Sequence, residues 1–475
     1  MHRVLLPAVL SLALLGAGAA SRVPPGAGAA SRAPLDAGLQ ALHSGDYHGA
    51  ITEFRRAADA DPASPDPVYM LLFSRWSQRA FEEGEDAKTD PVFDSAYDEL
   101  MKVANARLAK TPNDAEALAA LGGGQVLRAQ VEALRGNYFR AGREARQGKK
   151  ALEKALAISP SLETALFPMG ALNYYADRVP LIVKGLRPFL FIPGGDVHLG
   201  LKQIRSVADG NGRFQTEARL LFGILCADRY QQRYQEAMAQ FERAVEASPD
   251  SPVVRAALAS IQLKLGEDRA AESSFQDGLQ RAGGDGPERG RMRRWLWLGT
   301  AEARLMGWRL AEAEEAFRRA AAEPVENTGS LERARRRLDE EMRLKREALS
   351  GFEGTGAPTR EQAEEATRAV PRSAAAWMLL GSRRLDTGDA TGARQALDKA
   401  TSLMGADAPP WLEGGVALLH GDAEAGIGRT KQARSDWERA AGIKRFRNAE
   451  RARMRLQDPG EGSEVCVPQE PRTGS

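Results

Sequence analysis

One spacing recurs along this chain and restricts its fold more than any other feature: an alanine followed four residues later by a large side chain. It stands at Ala50/Phe54, Ala237/Phe241, Ala271/Phe275 and Ala313/Phe317, with Leu397 after Ala393 and Trp437 after Ala433. Pro62, Pro160 and Pro249 follow Phe54, Leu152 and Phe241 at one common offset, and Pro371 closes a more degenerate unit. Upstream of Ala393, Trp377-x2-Leu380-Gly381 supplies a second element; Leu118-x2-Leu121-Gly122 and Leu166-x2-Met169-Gly170 keep only that half. Residues four apart share one face of a helix, so each unit reads as two helices in contact. The alanine lets the paired helices approach, and the large residue is expected to fill the space between adjacent units, contributing roughly 1.5–3 kcal/mol when buried. Gly45, Gly266 and Gly388 fall at the turn between the paired helices, where a left-handed backbone is common. Proline then starts the next unit, because it cannot continue the preceding helix.

These elements, in this order, resemble the tetratricopeptide repeat from about residue 33 to residue 456. The match is strongest at 33–62, 218–324 and 361–404, and degenerate at 66–160 and 405–456. The resemblance implies an all-α fold: a right-handed superhelical solenoid of antiparallel helix pairs, its concave face lined by the first helix of each pair. It also implies a protein-binding scaffold or adaptor, with Ser260, Lys264, Glu302, Ser382 and Asp386 at groove positions.

The organisation around the repeats is read from composition. Residues 1–20 look like a signal peptide: His2 and Arg3, an apolar run from Val4 to Leu15, then Ala17-Gly18-Ala19-Ala20 for cleavage. Residues 21–32 form a flexible spacer in which the GAGAASR of 16–22 is repeated at 26–32. A repeat array is expected over 33–324, interrupted by an insertion at 179–196. A charged helix and linker occupy 325–360, a second array 361–456, and a polar tail 457–475. The expected location is the bacterial cell envelope, periplasmic or secreted, and the chain resembles exported bacterial proteins of the repeat superfamily. Within the charged segment, Leu331 to Leu349 mixes signs at helical spacing, the pattern of a solvated face with i,i+4 pairs.

Asn173 to Leu201 departs from the repeat. Pro180, Pro188 and Pro193 interrupt an apolar run containing Leu181, Leu186, Phe189 and Phe191, preceded by Tyr174 and Tyr175. Gly194-Gly195 then make a turn, and Asp196 is placed to cap the following helix. A similar tyrosine-rich helix and PGGD-type turn occur in other bacterial repeat proteins. Three readings stand: the segment fills one end of the groove, it presents an apolar patch to a partner or ligand, or it makes peripheral membrane contact.

No chemistry-bearing pattern emerges. Lys and Arg number 66 against 64 Asp and Glu, and they are interspersed, so nucleic acid is not an implied partner. Gly142-x5-Gly148-Lys149-Lys150 has one residue too many for a phosphate loop and lacks the hydroxyl that holds magnesium. His43, His48, His198 and His420 have no metal-ligand spacing, and His43 and His48 read as surface residues flanking a turn. Cys226 reads as a core residue; pairing with Cys466 is permitted in an oxidising compartment. No cofactor, metal or catalytic residue is expected, and beyond the signal no segment is long and apolar enough to span a bilayer. The function expected is non-enzymatic binding of a protein or peptide in the groove. The alternative is a lipid- or apolar-ligand-binding accessory of an envelope transport system.

Overall fold

The computed structural model describes residues 29–79, 90–178, 185, 189, 191–228, 230–284, 287–325, 329–349, 356–405 and 407–457. The expected signal segment, most of the insertion (Leu181 and Leu186 included), Cys466 and the tail beyond 457 lie outside the described residues. Within them the chain is all-α, with helices and no strand.

The helices are α1 (Ala29–His43), α2 (Tyr47–Ala60), α3 (Pro65–Arg79), α4 (Pro91–Lys110), α5 (Ala115–Leu134), α6 (Tyr138–Ile158) and α7 (Glu163–Asp177). There follow α8 (Val197–Ala208), α9 (Gln215–Ala227), α10 (Tyr234–Ala247), α11 (Pro252–Lys264), α12 (Asp268–Arg281), α13 (Pro287–Met306) and α14 (Leu310–Ala322). The last are α15 (Gly329–Ala348), α16 (Arg360–Ala369), α17 (Ala374–Asp386), α18 (Ala390–Leu403), α19 (Pro410–Gly426), α20 (Thr430–Gly442) and α21 (Ala449–Leu456). They fall into two compact units. Unit 1 runs to Asp228 and adds Gln235–Ala257 and Arg281–Met292. Unit 2 takes Arg229–Tyr234, Leu258–Gln280 and everything from Arg293. Helix α1 starts inside the span read as spacer, since Ser31 lies one turn before Leu35 and is buried on the same face.

Successive helices pair, and the first helices of neighbouring pairs pack on one another, as α3 does on α5, α5 on α7, and α17 on α19. The recurring large residue mostly works inside its own pair. A methyl group on Gly38 would sit 2.6 Å from the Phe54 ring, on Gly223 2.9 Å from Phe241, and on Gly381 2.6 Å from Leu397. Each glycine is the hole that receives the next helix's large residue, so enlarging it overpacks the pair. Phe275 is the exception, because its ring lies against Gly299 of the following pair. Gly45, Gly266 and Gly388 take φ of 76°, 79° and 78° at the turns, as expected. At the α13–α14 turn Trp308 adopts that conformation instead, with φ 64°.

In unit 2 the charged helix α15 is only half solvated. Arg335 pairs with Asp339 at 2.6 Å and Arg343 with Glu347 at 2.7 Å on the outside. The opposite face buries Ala334, Leu338 and Met342 against Ala301, Leu305 and Phe317. Lys345, 2% exposed, is buried there too. Its Nζ lies 4.7 Å from the Trp308 ring and 5.2 Å from the Trp411 ring, pairs with Glu341 at 2.9 Å and donates to the Leu305 carbonyl at 2.6 Å. Glu341 also accepts from Arg447 at 3.1 Å. The contact with Lys345 gives the strained Trp308 backbone a physical reason to persist.

His420 on α19 joins two second helices of unit 2: Nδ1 is 2.8 Å from Asp436 and Nε2 3.0 Å from Asp398. Hydrogen bonding to Asp436, aided by that to Asp398, raises its pKa above the ordinary 6.5. A base whose folded pKa is raised adds stability below its unfolded pKa and loses it as pH climbs through the folded value. Thermal melts of unit 2 signals should therefore fall as pH rises above 6.5, and the fall should shrink in His420→Asn. An identical pH profile in that variant would refute the assignment.

Candidate functional site

Three places in the described residues bear on function: a buried charge cluster, the surface of α6 with the insertion, and the row of expected groove residues. The first is the interior of unit 1. Asp66, Glu116 and Glu163 sit in the opening turns of α3, α5 and α7, where acids favour the positive helix end. Stacking of first helices brings those turns together around Arg213, which precedes α9 and is 4% exposed. Its guanidinium is bidentate to Asp66 at 2.7 and 2.5 Å, and its main-chain N–H donates to Glu163 at 2.9 Å. A side chain on Gly212 would overlap the Glu163 carboxylate, so the approach requires glycine. Thr164 donates to Glu116 at 3.1 Å. Phe214 stacks on Phe167 (5.3 Å between centroids, 13°) and meets Phe73 edge-on at 5.5 Å. Burial pushes the Glu116 and Glu163 carboxyls up, and the Arg213 charge draws both back. The α8–α9 loop thus plugs the inner face of these pairs.

Nearby, His43 is buried and pairs with Glu217 at 3.2 Å, correcting its reading as a surface residue. His48 is exposed, as expected. Sequence reasoning missed Arg213 and Phe214 altogether. The one available signal was an Arg-Phe pair set directly after Gly210-Asn211-Gly212 between two helices.

The second place is α6 with the described part of the insertion. Phe191 takes φ 55°, in the left-handed region, and its ring meets Phe139 edge-on at 5.2 Å with the Arg146 guanidinium 6.0 Å away. Lys149 Nζ donates to the Gly194 carbonyl at 2.7 Å. Arg146, Lys149, Lys150, Phe191, Ile192 and Pro193 help line a groove of about 510 Å³. Phe189 is 74% exposed and Phe191 37%. At the exit of the insertion, Asp196 caps α8 by accepting from the Leu199 N–H at 3.0 Å, as expected. At its entrance Tyr174 is buried and donates to Asp228 at 2.8 Å, while the half-buried Tyr175 packs edge-on against it at 5.4 Å.

The third place holds the expected groove residues, all in unit 2. Ser260 and Lys264 lie on α11, Glu302 on α13, and Ser382 and Asp386 on α17, each the first helix of its pair. Lys264 and Asp386 are exposed and the other three half-buried. Asp386 is tied to Arg383 of its own helix at 2.7 Å rather than to another of the five. Among the described residues no cluster of His, Cys, Asp and Glu is arranged to hold a metal, and no helix is long and apolar enough to cross a membrane.

Comparison with known families matches residues 229–296 to the tetratricopeptide repeat. A comparison with curated proteins finds no match. Among solved structures, a tetratricopeptide repeat protein from Parabacteroides merdae is 14% identical, covering 67% of this chain and 99% of its own, with a TM-score of 0.30. Human IFIT1, solved as a dimer with PPP-AAAA, is 15% identical over 78% of this chain and 72% of its own, with a TM-score of 0.40. Yeast Tom70 is 12% identical over 90% and 95%, with a TM-score of 0.24. Superpositions this loose say nothing of ligand or partner.

Proposed function

This chain belongs to the tetratricopeptide-repeat superfamily, and on that footing we propose that it is a non-catalytic scaffold holding a protein or peptide along the first helices of unit 2. One contrast carries the reading. In unit 1 the opening turns of the first helices are engaged by the chain's own Arg213 and Phe214. In unit 2 the last turns of two first helices leave Lys264 and Asp386 exposed, of opposite sign and on different repeats. An extended segment or helix could lie across such a row, oriented by polar contacts. The signal-like start of the sequence supports a place in the cell envelope for this scaffold, whose partner would be met there.

Photo-crosslinking in cells tests it. A crosslinker at Lys264 or Asp386 should yield one common adduct, absent when the crosslinker replaces the exposed Glu438 on the second helix α20. Charge reversal by Lys264→Glu combined with Asp386→Lys should reduce adduct formation from an unsubstituted first-helix position roughly tenfold, the effect of about 1.4 kcal/mol. Equal labelling at all three sites, or adducts indifferent to charge reversal, would defeat the proposal.

A further inference from the structure

We propose that the outward face of α6, with Phe189 and Phe191, docks peripherally on an anionic lipid bilayer. Charge is the first support. Arg143, Arg146, Lys150 and Lys154 recur at helical spacing and are exposed, and none forms an ion pair among the described residues. Helix α6 has two acids of its own, and they do not balance this stripe. Glu144 is buried and accepts from the Tyr97 hydroxyl at 2.7 Å, which leaves Glu153 as the exposed one. An excess of unpaired cations on one helix face is complementary to lipid phosphate. Each cation held near an anionic surface contributes on the order of fivefold in partitioning.

The second support is the placement of the aromatics. Five large aromatic side chains are exposed among the described residues, and four of them (Tyr138, Phe139, Phe189 and Phe191) belong to the start of α6 or to the insertion. Scattered exposed apolar residues need no explanation; aromatics gathered beside a cationic stripe do. The mounting is also built. Phe139 packs on Phe191, Lys149 holds the Gly194 carbonyl, and a side chain on Gly195 would strike the backbone of α7. Phe191 is thus fixed to the basic helix instead of trailing from it. Phe189 protrudes at 74% exposure. A side chain standing that far out suits insertion into a soft interface, where aromatic bodies enter the headgroup region and cationic tips remain among phosphates. A folded protein partner would have to supply a matching hole.

The test uses the full chain and no protein partner, so it is independent of the groove reading. Co-sedimentation with phosphatidylcholine vesicles containing phosphatidylglycerol should show binding at least tenfold tighter than with phosphatidylcholine alone, weakening as salt is raised. Arg146→Glu with Lys150→Glu should lose roughly tenfold or more. Phe189→Ser should lose several-fold, on the order of one buried aromatic side chain; its position at the surface makes misfolding an unsuitable explanation. The Phe189→Trp variant should gain indole emission that shifts to the blue on mixing with the anionic vesicles. Equal affinity for both vesicle types, affinity unchanged by the charge reversal, or no blue shift in the Phe189→Trp variant beyond that of the unsubstituted chain would each overturn the proposal. So would capture of a synthetic acidic peptide by this face in the absence of any vesicle binding.

Discussion

Arg213→Met is expected to destabilise unit 1 by about 3–5 kcal/mol, the cost of removing one partner from a buried charge network. Urea titration of the full chain, with hydrogen exchange reporting on α3, α5 and α7, measures it. The reason is that Asp66, Glu116 and Glu163 converge where burial has removed water, and Arg213 is the cation they share. The loss should depend on pH with an unusual sign. An acid whose folded pKa is raised holds a proton that the unfolded chain has released, so stability declines as pH rises from the ordinary 4.5 through the folded value. Without Arg213 both carboxyls rise further. The variant should then be closest to wild type in mildly acidic buffer and furthest from it in mildly alkaline buffer. Asp66→Asn added to Arg213→Met should restore part of the loss. A variant as stable as wild type, or a deficit that ignores pH, would show that the cluster does not hold the plug in place.

Lys345→Met should cost unit 2 a similar amount, about 3–5 kcal/mol. It removes the pairing with Glu341, the bond to the Leu305 carbonyl and both indole contacts, leaving Glu341 buried with Arg447. Adding Glu341→Leu should recover part of the deficit, because it removes the buried carboxylate left without its lysine, while the partly exposed Arg447 loses its partner and turns to solvent. Burial also lowers the Lys345 pKa. A base with a depressed folded pKa makes the protein gain stability as pH rises towards the ordinary 10.5, and that gain should vanish in the methionine variant. Hydrogen exchange in α15 and α19 reads both effects. A single variant with wild-type exchange, or a double variant worse than the single, would contradict this account.

The positions of Lys345 and Arg213 show where sequence reading stops. In α15, alternating charge at helical spacing describes the outer ion pairs correctly, yet Lys345 and Glu341 obey the same pattern and are buried. Whether a charged face is solvated depends on what another helix brings against it, and Trp308 and Trp411 lie far from Lys345 in sequence. Likewise the acids in the first turns of α3, α5 and α7 match an ordinary helix-start preference. Nothing local marks them as members of one cluster. His43 is buried for the same kind of reason, since Glu217 reaches it from α9.

Local features are legible in the sequence. The shared face of each alanine and its large partner, the glycine turns and the Asp196 cap depend on residues within one or two helical turns of each other, and spacing alone reports such features. The recurrent alanine and its large partner therefore specified an all-α repeat array. They did not specify which hole receives the large residue, and the glycine of the paired helix proved to be that hole. Stacking settled the rest: an Arg-Phe plug fills the inner face of unit 1, a lysine is buried between two indoles in unit 2, and α6 turns its cations and aromatics to water. Those outcomes rest on contacts between distant repeats, whose burial and charge balance exist only once the pairs are stacked.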